Sequence, residues 1–182
     1  MARTPKYDAV LDAAELVVRR DGSARMTLEA VAAQANVSKG GLLYHFPSKE
    51  ALLKAMVDRM VLSFDVALAA AQHSDANPPG VWTRAYVRTT AGGGSPSEHD
   101  LTSISILAAV ALDPSLVAPL RERYVGWRAQ AARDGLRPAD AAIAALAADG
   151  LWLADLLGFA PPEGEERRVI VERLLELAGE AQ

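Results

Sequence analysis

The sequence predicts an all-α protein, and three observations carry that prediction. Apolar residues recur every three to four positions along nearly the whole chain. Alternation of period two, the mark of a half-buried strand, is nearly absent. Short breaks rich in Gly, Pro, Asp and Asn separate the periodic runs: "DG", "NPPG", "GGGSPS" and "APPEG". Nine helices and no convincing strand follow from this pattern.

The elements can be justified in order. Val10, Leu11, Ala14, Val17 and Val18 form the stripe of the first helix, which stops at Asp21–Gly22, where the glycine suits the residue after a helix end. Thr27 is an N-cap for the second helix, with Leu28, Val31, Ala32 and Ala35 on one face and an end near Asn36. Ser38 caps a third, very short helix. Pro47 ends it, because a proline disfavours helical geometry at the preceding Phe46. Ser48 caps a long fourth helix, "KEALLKAMVDRMVLSFDVALAAAQ", with Glu50 in the first turn at the positive end of the helix dipole. A fifth helix with Trp82 and Tyr86 follows Asn77–Gly80, and a sixth runs from about Glu98 to Leu112. Asp113–Pro114 opens a seventh that reaches about Asp134. The eighth covers Pro138 to Leu157, and the ninth ends near Glu180.

Composition bounds the function. The chain has 182 residues, half of them apolar, enough to bury a substantial core. It has no cysteine, which excludes a disulfide scaffold, thiol catalysis and thiolate-bound metal. The opening "MARTPKYDAV" lacks the apolar run of a signal peptide. No segment reaches the ~18 uninterrupted apolar residues of a membrane span. "AAIAALAADGLWLADLLGFA" comes nearest, and Asp149 and Asp155 interrupt it. A soluble cytoplasmic protein with no membrane role is expected. Arginine outnumbers lysine 15 to 4 and alanine is abundant, which suggests a bacterial source with a GC-rich genome. The net charge of −4 does not advertise nucleic-acid binding, but residues 1–50 carry seven Lys/Arg against six Asp/Glu while the remainder carries twelve against seventeen. Local placement of charge therefore decides the partner.

The second and third helices, joined by the tight "ANV" connection, have the shape of a helix-turn-helix. At about 100° per residue, Gly40, Gly41, Tyr44 and His45 fall on one arc of the third helix, opposite Leu42, Leu43 and Phe46. The apolar arc packs inward. The outer arc is bare at its first turn and armed with Tyr44 and His45 at its last. Ser38 and Lys39 stand at its N-terminus, Lys49 at the next helix start and Thr27 at the previous one. Three helix N-termini, two lysines, a tyrosine and a histidine make an arrangement for a phosphate backbone.

These residues also carry a family likeness. "TLEAVAAQANVSKGGLLYHFPSKEALLKAMVD", Thr27 to Asp58, resembles the DNA-binding signature of the TetR (tetracycline repressor-like) transcriptional regulators, with "VSKG", "YHF" and "SKE" the most specific parts. The resemblance implies a DNA-binding helix-turn-helix domain over residues 1–47 and a ligand-binding and dimerisation domain over residues 48–182. It makes Thr27, Ser38, Lys39, Tyr44, His45 and Lys49 phosphate-contacting positions and sets Gly40 and Gly41 against base edges. Gly41 stands where the family often has a base-reading side chain, and Leu43 where an aromatic is common. Base readout by side chains is therefore expected to be thin, with more left to DNA shape. Arg3 and Lys6, ahead of the first helix, allow either a basic arm along the DNA or a disordered terminus.

The resemblance also implies a homodimer that binds a palindromic operator, represses, and is released by a small-molecule effector. The alanine-rich eighth helix permits close helix approach on more than one side. The ninth carries Val169, Ile170, Leu174 and Leu177 on a stripe flanked by Arg167, Arg168, Glu172, Arg173 and Glu176. Two such helices from each subunit would form a four-helix interface. Candidate ligand residues are Met60, Phe64, Trp82, Tyr86, Ser105, Trp127 and Trp152, with Met56, Ile104, Ala108 and Phe159 as further lining and His99, Thr102 and Ser103 as orienting groups. No buried-carboxylate or cation-binding pattern stands out in the sequence, so the effector is expected to be largely apolar or aromatic.

Enzymatic function has little material. His45, His73 and His99 fall in different segments, and no P-loop, GxGxxG, HExxH or nucleophile motif occurs. No catalytic residue, cofactor or metal is expected. The competing reading is a helical module that binds a small molecule or a protein without touching DNA. It explains the helices but not the phosphate-facing arrangement.

Overall fold

In the computed structural model, which describes residues 5–75, 77–92 and 114–179, every regular element is helical. Eight helices lie among the described residues: α1 Pro5–Asp21, α2 Leu28–Gln34, α3 Lys39–His45, α4 Lys49–His73, α5 Val81–Ala91, α6 Pro114–Ala131, α7 Pro138–Leu157 and α8 Gly164–Leu177. The helix expected from Glu98 to Leu112 lies outside the described residues. The chain divides into two units, residues 1–61 with 98–121, and residues 62–97 with 122–182. Helices α4 and α6 each contribute to both.

In the first unit, short-range side-chain hydrogen bonds set the helix starts. Thr27 Oγ1 accepts from the Ala30 N–H at 3.2 Å, Ser38 Oγ from the Gly41 N–H at 3.1 Å, and Ser48 Oγ from the Ala51 N–H at 3.1 Å. Each satisfies a donor that has no partner within its helix. Gly22, at φ +79°, ends α1 and donates to the Val18 carbonyl at 2.8 Å. Asn36 takes the left-handed turn between α2 and α3 at φ +52°, a conformation asparagine tolerates better than most residues. Val10, Leu11, Val17 and Val18 of α1, Val31 of α2, Leu42 and Phe46 around α3, and Leu52 and Met56 of α4 close one apolar core. Each such side chain contributes about 1.5–3 kcal/mol on burial. Arg59 ties α4 to α1, donating to Asp12 Oδ1 at 2.6 Å and Glu15 Oε1 at 3.0 Å.

The second unit is organised around α5, whose residues Trp82 to Val87 are all buried. Ala144 and Ala148 of α7 pack against Val87 and Ala91 of α5, with Leu151 and Leu174 closing the cluster. Small side chains permit that approach. The start of α5 is capped from a distance: Asp134 accepts from the Trp82 N–H at 3.0 Å and the Thr83 N–H at 2.7 Å. Helix α6 ends at Ala131 rather than at Asp134: the Arg133 and Asp134 N–H groups donate to the Gln130 and Ala131 carbonyls three residues back, and the Asp134 carbonyl accepts from the Gly80 N–H. Arg84, 2% exposed, donates to the Asp75 carboxylate at 2.7 and 3.0 Å, to the carbonyls of Pro79 and Ala178 at 2.7 and 2.8 Å, and to that of Asn77. It holds the end of α4, the start of α5 and the end of α8 at one point. Gly80 sits beside it at φ +94°, where a Cβ would lie 2.0 Å from the Ala178 carbonyl oxygen. Helix α8 ends at Leu177, short of the expected Glu180, because Arg84 takes the Ala178 carbonyl and Gly179 turns left-handed at φ +82°.

The last helix also departs from expectation in what its faces do. Leu174 is buried, and Ile170 and Leu177 pack against the same interior cluster. Arg167, expected on a flank, is buried and forms a bidentate pair with Asp155 at 2.9 and 2.8 Å while donating to the Ala91 carbonyl at 2.9 Å. The outer face carries the ion pairs of Arg168 with Glu165 and Glu172, and of Arg173 with Glu176. On α7, by contrast, Ile143, Leu146, Leu153 and Leu157 remain exposed, with Gly150 between them facing open space.

Candidate nucleic-acid interface and ligand site

Helix α3 divides as its sequence implies. Leu42 and Phe46 are buried and Leu43 is half-buried, while Ser38, Lys39, Gly40, Gly41 and Tyr44 are exposed. Tyr44 leaves 85% of its surface in water, the most of any large apolar side chain among the described residues. His45 is half-buried, with its ring edge-on to Tyr44 at 5.1 Å and to Tyr7 at 6.2 Å. Thr27 is exposed and Lys49 half-buried.

The two glycines are not equivalent. A Cβ at Gly40 would meet nothing within 4 Å, whereas one at Gly41 would lie 3.2 Å from Ser38 Oγ. That oxygen is the one that accepts the Gly41 N–H, so the cap and the missing side chain are linked.

Both lysines are engaged. Lys39 Nζ lies 2.5 Å from Glu29 Oε1, and this contact holds the Glu29 carboxyl below its ordinary range. Lys49 Nζ donates to the Ala24 carbonyl at 3.2 Å. Arg3 lies outside the described residues. Lys6 is not ahead of the first helix but within its first turn, exposed. An open recess of about 260 Å³ beside α3 is lined by Lys6, Val10, Asn36, Val37, Ser38, Gly41 and His45.

In the second unit, four of the expected ligand residues meet. Phe64 of α4 lies 4.8 Å from Trp127 of α6 and 5.6 Å from Tyr86 of α5, ring centre to ring centre. Trp82 stacks on Tyr86 at 5.0 Å with the planes 22° apart, and Tyr86 and Trp127 are 6.0 Å apart. Such pairs prefer tilted, edge-on or offset contacts, as here. The sequence did not point to Tyr124, which lies edge-on to Trp127 at 5.0 Å. Nor did it point to Asp149 of α7, whose Oδ1 accepts from Tyr86 Oη at 2.7 Å and Tyr124 Oη at 3.5 Å. The available signal was a carboxylate inside an alanine-rich apolar run.

Burial pushes the Asp149 carboxyl above its ordinary range, against the two tyrosine hydrogen bonds that favour its charged form. Burial also raises Tyr86 well above the phenol range, helped by Tyr124 and Asp149, and pushes Tyr124 up to about 12 with Asp149 as the second cause. A second carboxylate, Asp65, accepts from Trp127 Nε1 at 3.0 Å and pairs with Arg123.

The remaining ligand candidates lie apart from this cluster. Met56 belongs to the apolar core of the first unit, and Met60 is half-buried in that unit's part of α4. Trp152 is half-buried on α7 with no ring contact among the described residues, and Phe159, past the end of α7, is 70% exposed. His99, Thr102, Ser103, Ile104, Ser105 and Ala108 lie outside the described residues. No group of acids and histidines suited to a metal ion occurs among the described residues, and no described helix is long and apolar enough to cross a membrane.

Residues 10–56 match the family model of bacterial regulatory proteins of the tetR family, and residues 80–179 match that of the tetracyclin repressor-like C-terminal domain. No curated protein matches the chain. Among solved structures, the chain is 26% identical to EbrR, a multidrug binding protein complexed with malachite green, over 96% of this chain and 98% of that one, with a TM-score of 0.73. EbrR complexed with ethidium is 25% identical over 93% and 98%, with a TM-score of 0.66. A member of the TetR family from Streptomyces coelicolor A3 is 25% identical over 94% and 98%, at a TM-score of 0.66. A transcriptional regulator from Rhodococcus sp. Rha1 is 18% identical over 96% of both chains and shares the fold at a TM-score of 0.75. With both family models matched in sequence order on an all-helical chain, the protein belongs to the TetR family of bacterial transcriptional regulators.

Proposed function

We propose that the protein is a repressor that binds a palindromic operator as a homodimer and is released by a small aromatic effector. The observation that carries this reading is the outer face of α3. A tyrosine 85% in water stands one turn beyond two bare glycines, on a helix whose opposite face is buried. A side chain that large, left in water, supports a surface made to be covered. Glycines let a backbone come close to groove edges, and the hydroxyls and ammonium groups of Ser38, Lys39, Tyr44 and Lys49 suit the flanking phosphates.

The dimer is supported by α7. Ile143, Leu146, Gly150, Leu153 and Leu157 follow a three-four spacing, the pattern of a helix seam that meets another helix. Val169 of α8, half exposed, extends the apolar surface. A two-fold pair doubles the bases read by one short helix. Release is supported by the continuity of α4, which begins at Lys49 and carries Phe64 and Asp65 among the aromatic residues. A ligand that favours one setting of α4 shifts the population of DNA-competent dimers.

The test uses the duplex upstream of the protein's own gene or its neighbour. Wild type binds it with a steep salt dependence, losing ~10³-fold or more between about 50 and 200 mM salt if six or more phosphates are contacted. The double substitution Tyr44→Ala with Lys49→Ala weakens binding at least ~10-fold, measured by fluorescence anisotropy. Equal affinity would remove α3 from the interface. A Leu146→Glu chain sediments as a monomer if the α7 seam joins the copies.

A further inference from the structure

We propose that the aromatic cluster of the second unit binds planar organic cations, with Asp149 as the counter-charge. This rests on the ligand-responsive reading and narrows it to one charge class. Three observations support it. The Asp149 carboxylate is half-buried among Tyr86, Tyr124 and their neighbours, yet its hydrogen-bond partners are two neutral hydroxyls, and no Lys or Arg pairs with it among the described residues. The other carboxylate at the cluster, Asp65, is already matched by Arg123, so of these two Asp149 is the one with no positive partner among the described residues. Burying such a charge is costly unless a positive one arrives.

The rings are the second observation. Trp82, Tyr86, Phe64, Trp127 and Tyr124 form a continuous set with centres 4.8–6.0 Å apart. Indole and phenol faces attract a delocalised cation more than a neutral ring of the same shape. The third is a pair of hydroxyls. Thr83, fully buried, and Thr90 have Oγ1 atoms with no hydrogen-bond partner among the described residues. At about 100° per residue they share an arc of α5 with Trp82 and Tyr86. Buried polar atoms normally find partners, and a ligand amine or amino substituent is one such partner.

The test titrates ethidium and malachite green into the full-length protein without DNA, read by quenching of tryptophan fluorescence. Phenanthridine, the uncharged ring system of ethidium, serves as the neutral comparator. Wild type binds the cations at least ~10-fold more tightly than phenanthridine. Asp149→Asn, which keeps shape and can still accept from Tyr86, removes that preference while leaving phenanthridine within about twofold. Asp149→Glu, which keeps the charge, retains it, and thermal melts verify that both variants are folded. If Asp149→Asn binds the cations as tightly as wild type, or phenanthridine binds wild type as tightly as ethidium does, the counter-charge assignment is overturned and the ligand-responsive reading stands. If no cation binds wild type, the site is overturned, while duplex binding and its dependence on Tyr44 and Lys49 judge the regulator reading independently.

Discussion

The two units bury different things. Among described residues, the first hides one polar side chain, Ser23, beneath an otherwise apolar core, and its distinctive groups stand in water on α3. The second hides Thr83, Arg84 and Arg167, and gathers tyrosine hydroxyls around a half-buried carboxylate. A region that meets a charged polymer keeps its polar groups outside, where exchanging water for phosphate is cheap. A region that takes in a small molecule keeps polar groups inside, where low polarity makes each one selective and each unmatched one expensive.

The largest effect should come from the interior polar group with the most partners. Arg84→Met removes the side-chain donor of three carbonyls and leaves Asp75 with only Arg88 and the Asn77 N–H among the described residues, and breaking a buried ion pair costs about 3–5 kcal/mol. Urea unfolding should show the loss, carried by the second unit. An unchanged midpoint would mean that the second unit does not depend on its buried charges. Arg84 also holds the Asp75 carboxyl well below its usual range, so this pair's stabilisation is present above the ordinary carboxylate range and lost as pH falls through the lowered value.

In the first unit, local caps replace long-range pairs, and effects are smaller. Ser38→Ala removes the α3 cap and should cost about 1 kcal/mol. Gly40→Ala should instead stabilise by up to ~1 kcal/mol, because nothing obstructs its Cβ. Gly41→Ala should gain less than Gly40→Ala or lose, since its Cβ crowds the capping oxygen. Thermal midpoints of the three variants rank these outcomes, and a Gly41→Ala midpoint above that of Gly40→Ala would overturn the crowding argument.

The smallest effect depends on pH. Asp149 titrates above its ordinary range in the folded state, so its contribution is fully present below that range and is lost as pH rises through the raised value. Asp149→Asn cannot acquire the charge. Its midpoint relative to wild type should therefore rise as pH climbs out of the ordinary carboxylate range, by calorimetry at fixed ionic strength. A constant difference would mean that the carboxylate is matched by a charge after all.

The same contrast explains what could be read from the sequence. Thr27, Ser38, Ser48 and Gly22 act on residues three or four positions away, so their roles are visible in a short window. The faces of α3 follow from its period alone. Asp149 meets Tyr86 across 63 positions and Asp134 caps α5 across more than 50, and no periodicity encodes such pairings. Asp149 and Asp155 looked only like interruptions of an apolar run, while one faces two phenols and the other holds Arg167. The apolar stripe of α8 was visible, but not that the interior would claim it and leave the α7 stripe outside.

The inequality of Gly40 and Gly41 has a consequence for how this regulator's target could change. Position 40 is an open socket: a longer side chain can be installed there without disturbing the turn that starts α3. At position 41 a new side chain crowds the hydroxyl that starts the helix, so that hydroxyl must shift to admit it. If α3 reads the operator, new specificities are reached first through residue 40, and through residue 41 only as far as Ser38 Oγ gives way.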